Sequence, residues 1–199
     1  MMKWVKAATG AVLVGLVLWI CGFAGACTGV RESVVRVHIL ANSDSEADQA
    51  VKMRVRDAVT AAGAGLLDGV TTREEAEQRL QEALPRLTEV ARDCVRQAGF
   101  SYPVTAELTE MYFTTRVYEN ATFPAGRYHA VRISIGQAKG RNWWCVMYPP
   151  LCVSAATDKD SLQEVLPGEA YAVVEDSSRF VIRFKVLEWV QELAEWFSA

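Results

Sequence analysis

The segment Asn142-Trp143-Trp144-Cys145-Val146-Met147-Tyr148 constrains the fold of this chain more than any other stretch. It is aromatic and charge-free, and Pro149-Pro150 stops it, which predicts a short strand. Adjacent side chains on a strand point to opposite faces, so Trp143 and Trp144 enter one core only if the strand is buried on both sides. Core packing accounts for one ring. The natural use of the other is as an anchor for a partner.

The segments around this strand predict an α+β domain. Residues 33 to 41 alternate, with Val35, Val37 and Ile39 on one face and Arg36 and His38 on the other, as in a strand. Ser45 followed by Asp48 is a capping pair, and Val51, Val55, Ala58, Val59 and Ala62 recur at helical spacing until Gly63-Ala64-Gly65. Thr71 with Glu74 repeats the cap. The stripe Ala76, Leu80, Leu84, Leu87, Ala91, Cys94, Val95, Ala98 then predicts an amphipathic helix ending at Gly99, with a kink or break near Leu84 because Pro85 lacks an amide donor. Two β-rich stretches follow, Tyr102 to Val117 and Tyr128 to Ile135, separated by the loop Asn120 to Gly126. The polar turn Gly136 to Gly140 leads into the tryptophan strand. The expectation is a mixed or antiparallel sheet of about four strands packed against amphipathic helices. Asp158 to Ser178 is weakly patterned, with a possible short strand at Ala170 to Val174. Phe180 to Phe197 reads as a closing amphipathic helix on which Trp189 and Trp196 pack.

From Ala7 to Val30 there is no charged residue, with Lys3 and Lys6 before the run and Arg31 after it. Such a run is a signal peptide or a membrane anchor, and the flanking charges send the rest of the chain outward. Ala24-Gly25-Ala26 suits signal cleavage after Ala26, while the length also suits an uncleaved anchor. Lipidation of Cys27 is disfavoured, because Ala24 stands three residues before it. Residues 1–26 therefore form the export segment and residues 31–199 a single exported domain. Without Lys3 and Lys6 the chain keeps 19 basic against 24 acidic residues, a net charge of −5. That balance argues against nucleic acid as a partner and leaves no polybasic patch for anionic lipids.

No catalytic, cofactor or metal motif emerges. His38 and His129 are the two histidines, and neither lies in a nucleophile or zinc motif; an outward-facing strand histidine is expected to be structural or solvated. Asn42, Asp44, Glu46 and Asp48 alternate as at the start of a calcium loop, but Gln49 and Val55 stand where glycine and glutamate are needed. Helix capping explains the same residues. The glycines at 63 and 65 and at 136 and 140 fail as dinucleotide or phosphate loops. Cys145 and Cys152, seven apart across Pro149-Pro150 in an exported domain, suit a disulfide, the alternative being two separate buried thiols. Cys94, on the helical stripe, reads as an inert packed thiol.

The run His38-Ile-Leu-Ala-Asn42-Ser-Asp44-Ser-Glu-Ala-Asp48-Gln49-Ala-Val-Lys52-Met-Arg-Val-Arg56-Asp57 resembles the amino-terminal signature of the stage II sporulation protein R family. Phe123-Pro-Ala-Gly126-Arg-Tyr128, Asn142 to Cys152 and Phe184-Lys185-Val-Leu-Glu188-Trp189 extend the resemblance over nearly the whole chain. It implies a non-enzymatic signalling protein of endospore formers, exported from the forespore into the space between the two membranes. There the family activates a membrane-embedded aspartic protease, stage II sporulation protein GA, which processes the sigma factor E precursor in the mother cell. The docking candidates are then Trp143, Trp144 and Tyr148, with Asn42 and Asp44 in the neighbouring turn. The competing classes are an exported hydrolase acting on cell wall or peptide, using His38 with Asp44 or Glu46, and a structural envelope protein.

Overall fold

The computed structural model describes residues 2–118, 121–149 and 159–175, and in the C-terminal stretch Phe184, Lys185, Glu188, Trp189 and Trp196. The chain divides into two compact units. The first comprises Met1–Arg31, Phe113–Gly126 and Leu166–Ala199; the second, Glu32–Tyr112 and Arg127–Val165.

The second unit is built on a mixed four-stranded sheet in the order β2-β5-β1-β6, from β1 (Val35–Leu40), β2 (Val104–Phe113), β5 (Gly126–Ile135) and β6 (Asn142–Tyr148). β1 runs parallel to β5 and antiparallel to β6. All six residues of β1 are buried, Arg36 and His38 included. The alternation in the sequence therefore marks two covered faces, and His38 does not point into solvent. α2 (Glu46–Ala64) and α3 (Arg73–Gln97) pack on each other and on β1, and α2 also reaches β6. Their apolar stripes, including Val51, Val55, Val59, Leu80, Leu87 and Val95, are buried. Each such side chain contributes ~1.5–3 kcal/mol on leaving water.

The caps act close to where the sequence places them. Ser45 accepts from the Asp48 amide at 3.2 Å, satisfying one of the free donors at the start of α2. At α3 the cap is Thr72, which accepts from the Glu75 amide, one residue beyond the expected Thr71 and Glu74 pair. The expected break near Leu84 is absent, for α3 runs unbroken through Pro85. Pro85 lies on the solvent side and so does Gln81, whose carbonyl loses its helical donor, so water can take that donor's place. Gly99 stops the helix at a φ of +84°.

In the first unit, β3 (Arg116–Val117) and β4 (Thr122–Phe123) form a two-stranded antiparallel ribbon, and α5 (Gly168–Glu175) packs on β4. α5 replaces the short strand expected at Ala170 to Val174. Ala170, Val173 and Val174 are its buried residues, a three-and-four spacing that belongs to a helix. α4 (Lys159–Val165), in the second unit, precedes it. α1 (Met2–Ser33) ends in this unit's core, where Phe23, Ala26 and Cys27 form a buried cluster with Val173 and Phe184. The Phe23 and Phe184 rings meet edge to face at 5.4 Å. Arg31 donates to the Ala125 carbonyl at 3.3 Å and to the Thr28 hydroxyl at 2.6 Å.

Among the described residues no helix is both long and apolar enough to cross a membrane. The side chains of Val5, Val12, Leu13, Leu16 and Val17 in α1 lie outside that description, and the uncharged run in the sequence stands beside it. The described residues of the closing helix are helical, but Trp189 and Trp196, expected to pack, are 68% and 72% exposed. The helix buries Phe184 and Glu188, four residues apart on one face, and Trp189 is a further 100° around it.

Candidate docking surface

β6 pairs with β1 so that His38 lies opposite Trp144 and Ile39 opposite Trp143. The two tryptophans consequently occupy opposite faces of the sheet, and both are half-buried. Trp143 turns toward α2, where the Arg56 guanidinium sits 5.4 Å from its ring centre in a cation–π contact. Trp144 lies flat on His38, with ring centres 3.7 Å apart and planes within 6°. Tyr148 is a core residue, and burial first, then the acids Glu75 and Glu74, pushes its phenol above the usual range. Trp143 and Trp144 are thus the members of the aromatic set that reach the surface.

The face that carries Trp144 holds a row running across all four strands. His38 on β1 stands opposite Arg132 on β5, and Arg132 reaches Glu107 on β2 at 3.6 Å. Trp144, His38, Arg132 and Glu107 thus line up from one edge strand to the other. The indole, guanidinium and carboxylate are partly exposed, while the imidazole between them is 3% exposed. Arg132 and Glu107 were not among the sequence candidates. The one signal for Arg132 is alternation within Val131-Arg132-Ile133, which marks a face but no neighbour.

Asn42 and Asp44 take part in a polar clamp at the end of the same strands. Asn42 accepts from the Gln137 amide through Oδ1 and donates to Asp48 through Nδ2, both at 2.9 Å. Asp44 accepts from the Arg141 amide at 2.6 Å. The Gly140 amide donates to the Ala41 carbonyl and the Lys139 amide to that of Asn42. Gly140 is required here, since a Cβ would sit 2.1 Å from the Ser43 carbonyl oxygen. Gly136, at a φ of +61°, lets the Asn42 side chain fill the same kind of space. The signature around Asn42 thus fixes the turn that feeds β6.

Two buried charges complete the clamp. Asp48 accepts from Ser43 at 2.5 Å, and the hydrogen bond from Ser43, with further bonds from Asn42, Tyr102 and Ser45, holds its carboxyl below the usual range against the opposing effect of burial. Lys52 donates to Gln49 at 2.6 Å and to the Arg141 carbonyl at 3.0 Å; burial and the nearby Arg141 lower its ammonium below the usual range.

The second histidine makes a polar contact at the surface, with Nδ1 of the 41% exposed His129 3.2 Å from Glu77, which also pairs with Arg73. Among the described residues no group of three or more His, Cys, Asp or Glu could hold a metal ion. Cys21, Cys27 and Cys94 are free thiols. Burial and then Asp93 raise Cys94. Cys145 is buried, and Cys152, its expected disulfide partner, lies outside the described residues.

No solved structure matches the chain. The family model described as Stage II sporulation protein R matches residues 31–158. A curated relative named Stage II sporulation protein R, from Bacillus subtilis (strain 168), is 33% identical over 141 residues. The match spans 71% of this chain and 63% of the relative's length. A family match over most of the chain, across a range that includes the clamp and the tryptophan strand, places this protein in the stage II sporulation protein R family.

Proposed function

We propose that this chain is an exported signal of endospore formation that activates a membrane-embedded aspartic protease, stage II sporulation protein GA, and so triggers processing of the sigma factor E precursor in the mother cell. Family membership supports the pathway. The uncharged run before Arg31 supports export from the forespore into the space between the two membranes. A signal cut after Ala26 and a retained anchor both deliver the rest of the chain there. In that exported setting a Cys145–Cys152 disulfide closes the bend at Pro149-Pro150.

The observation that carries the docking role is the Trp144 stack. A half-exposed indole held flat on a buried imidazole has already lost most of its rotamer freedom, so binding through it costs little additional entropy. Arg132 and Glu107 extend that surface with one charge of each sign, which favours a defined orientation of the partner. Activation requires that the protease's active state bind this surface better than its resting state, by ~2.7 kcal/mol for each hundredfold shift.

The test is co-expression of this chain with the protease and the sigma factor precursor in a bacterium that does not sporulate. Precursor cleavage should depend on this chain and should fall at least about tenfold with Trp144→Ala, the loss typical of an interface anchor, while the variant stays folded and exported. Cleavage without this chain defeats the proposal, and a fully active Trp144→Ala defeats the anchor. His38→Phe keeps a flat ring under Trp144 without a titrating nitrogen. It should preserve signalling, whereas a hydrolase working through His38 with Asp44 or Glu46 would lose activity.

A further inference from the structure

A cavity of about 430 Å³ in the first unit has no part in the docking surface described above. It is lined by Thr114 and Thr115 just before β3, by Val117 and Thr122 from the β3–β4 ribbon, and by Phe184, Lys185 and Glu188 from the C-terminal helix. Its size is that of a pocket for a small ligand or one large side chain with its neighbour. The walls are mostly apolar, but two buried polar groups stand in them. Thr122 is 2% exposed, and its hydroxyl has no hydrogen-bond partner among the described residues. Glu188 is 8% exposed and meets the Lys185 ammonium at 2.9 Å.

A carboxylate so far from water needs a cation beside it. Lys185 supplies one from the end of a side chain that is 67% exposed, a position from which solvent competes for the charge. A cation that entered with its own apolar body would meet Glu188 in drier surroundings and displace the lysine. Val117, 76% exposed, stands at the rim and leaves that route open.

We propose that this cavity binds an apolar side chain carried beside a cationic group, as presented by an Arg- or Lys-containing segment of a protein partner. The apolar body packs on Phe184 and Val117, and the cation pairs with Glu188. An acidic ligand is repelled by Glu188, and a neutral one leaves the carboxylate no better paired than before. The proposal does not depend on the identity of the protease, and its test does not use one.

Benzamidine, an aromatic body joined to a cation, serves as the probe and is titrated by ligand-observed NMR into the full chain held in mild detergent. Saturable binding is expected, weakened at least about tenfold by Glu188→Gln, which removes a charge-assisted hydrogen bond. Val117→Trp at the exposed rim should block the cavity while leaving the circular dichroism spectrum unchanged, and benzyl alcohol should bind at least about tenfold more weakly than benzamidine for the same electrostatic reason. The proposal is overturned if benzamidine fails to bind, if it binds wild type and Glu188→Gln equally, or if a folded Val117→Trp binds it unchanged.

Discussion

The two units treat their apolar side chains in opposite ways. All the large hydrophobic residues that stand exposed among the described ones, Trp4, Val14, Leu18, Trp19, Ile20, Val117, Trp189 and Trp196, belong to the first unit. The second unit exposes none among its described residues, and it goes as far as burying Arg36, His38, Asp48 and Lys52 within its frame. Exposed apolar area of this extent marks surface kept for something other than solvent. Buried polar groups tied by many hydrogen bonds mark a place where geometry is fixed. The second unit therefore holds a fixed shape that presents the half-buried Trp144, and the first offers fully exposed apolar surface.

Substitutions in the clamp should break that contrast first, by removing the fixed shape. Gly140→Ala places a methyl against the Ser43 carbonyl, a backbone atom that cannot turn aside. It should cost about 3 kcal/mol, at the upper end of overpacking effects, read as a lowered urea midpoint. Asp48→Ala should follow at about 2 kcal/mol, because the Asn42 and Ser43 donors are left in place without their acceptor.

Acid should act through the same carboxylate. The folded state holds Asp48 below its ordinary value of 3.8, so the unfolded chain binds the proton more readily. The stability it contributes is complete above that value and is lost as pH falls below 3.8 through the folded-state value. Wild type should therefore lose stability over that interval relative to Asp48→Asn, which has no proton to gain there. Equal acid sensitivity in the two proteins would remove Asp48 from the account.

Local chemistry was legible in the sequence where neighbours along the chain decide it. The Ser45 cap, the stop at Gly99 and the opposite facing of Trp143 and Trp144 all follow from spacing within a few residues. The transverse row was not legible, because His38 and Arg132 meet through a parallel pairing across 94 positions of chain and no local pattern records a register. Burial departs from the sequence pattern twice, in opposite senses. Arg36 and His38 alternate like solvent-facing residues but lie in a covered sheet, and Trp189 and Trp196 look like core residues but stand in the open. In both cases the hidden variable was what covers the other side, which is a tertiary fact. The residues of α5 are few and apolar enough for either period, so the sequence there suits a strand as well as a helix.

Arg56→Ala should have a smaller effect. It removes the cation from the face of Trp143, a partly exposed contact worth about 1 kcal/mol. A drop of that size in the urea midpoint, with Trp144 still stacked on His38, would show that the two faces of β6 are independently supported. A larger loss would mean that α2 depends on this contact for its seat on the sheet.

The smallest effect on stability should come from the most conspicuous residues. Trp189 and Trp196 are 68% and 72% exposed, so replacing both with alanine removes little buried area and should move stability by no more than about 0.5 kcal/mol. The same double substitution should nevertheless reduce precursor cleavage in the co-expression assay if the first unit's exposed surface is kept for a partner or a lipid surface. Stability and activity would then separate, as they cannot at Gly140 or Asp48, where loss of shape removes both together. A double variant that is both stable and fully active would make the exposed indoles incidental. The functional surface would then lie on the second unit alone, in the row that ends at Trp144.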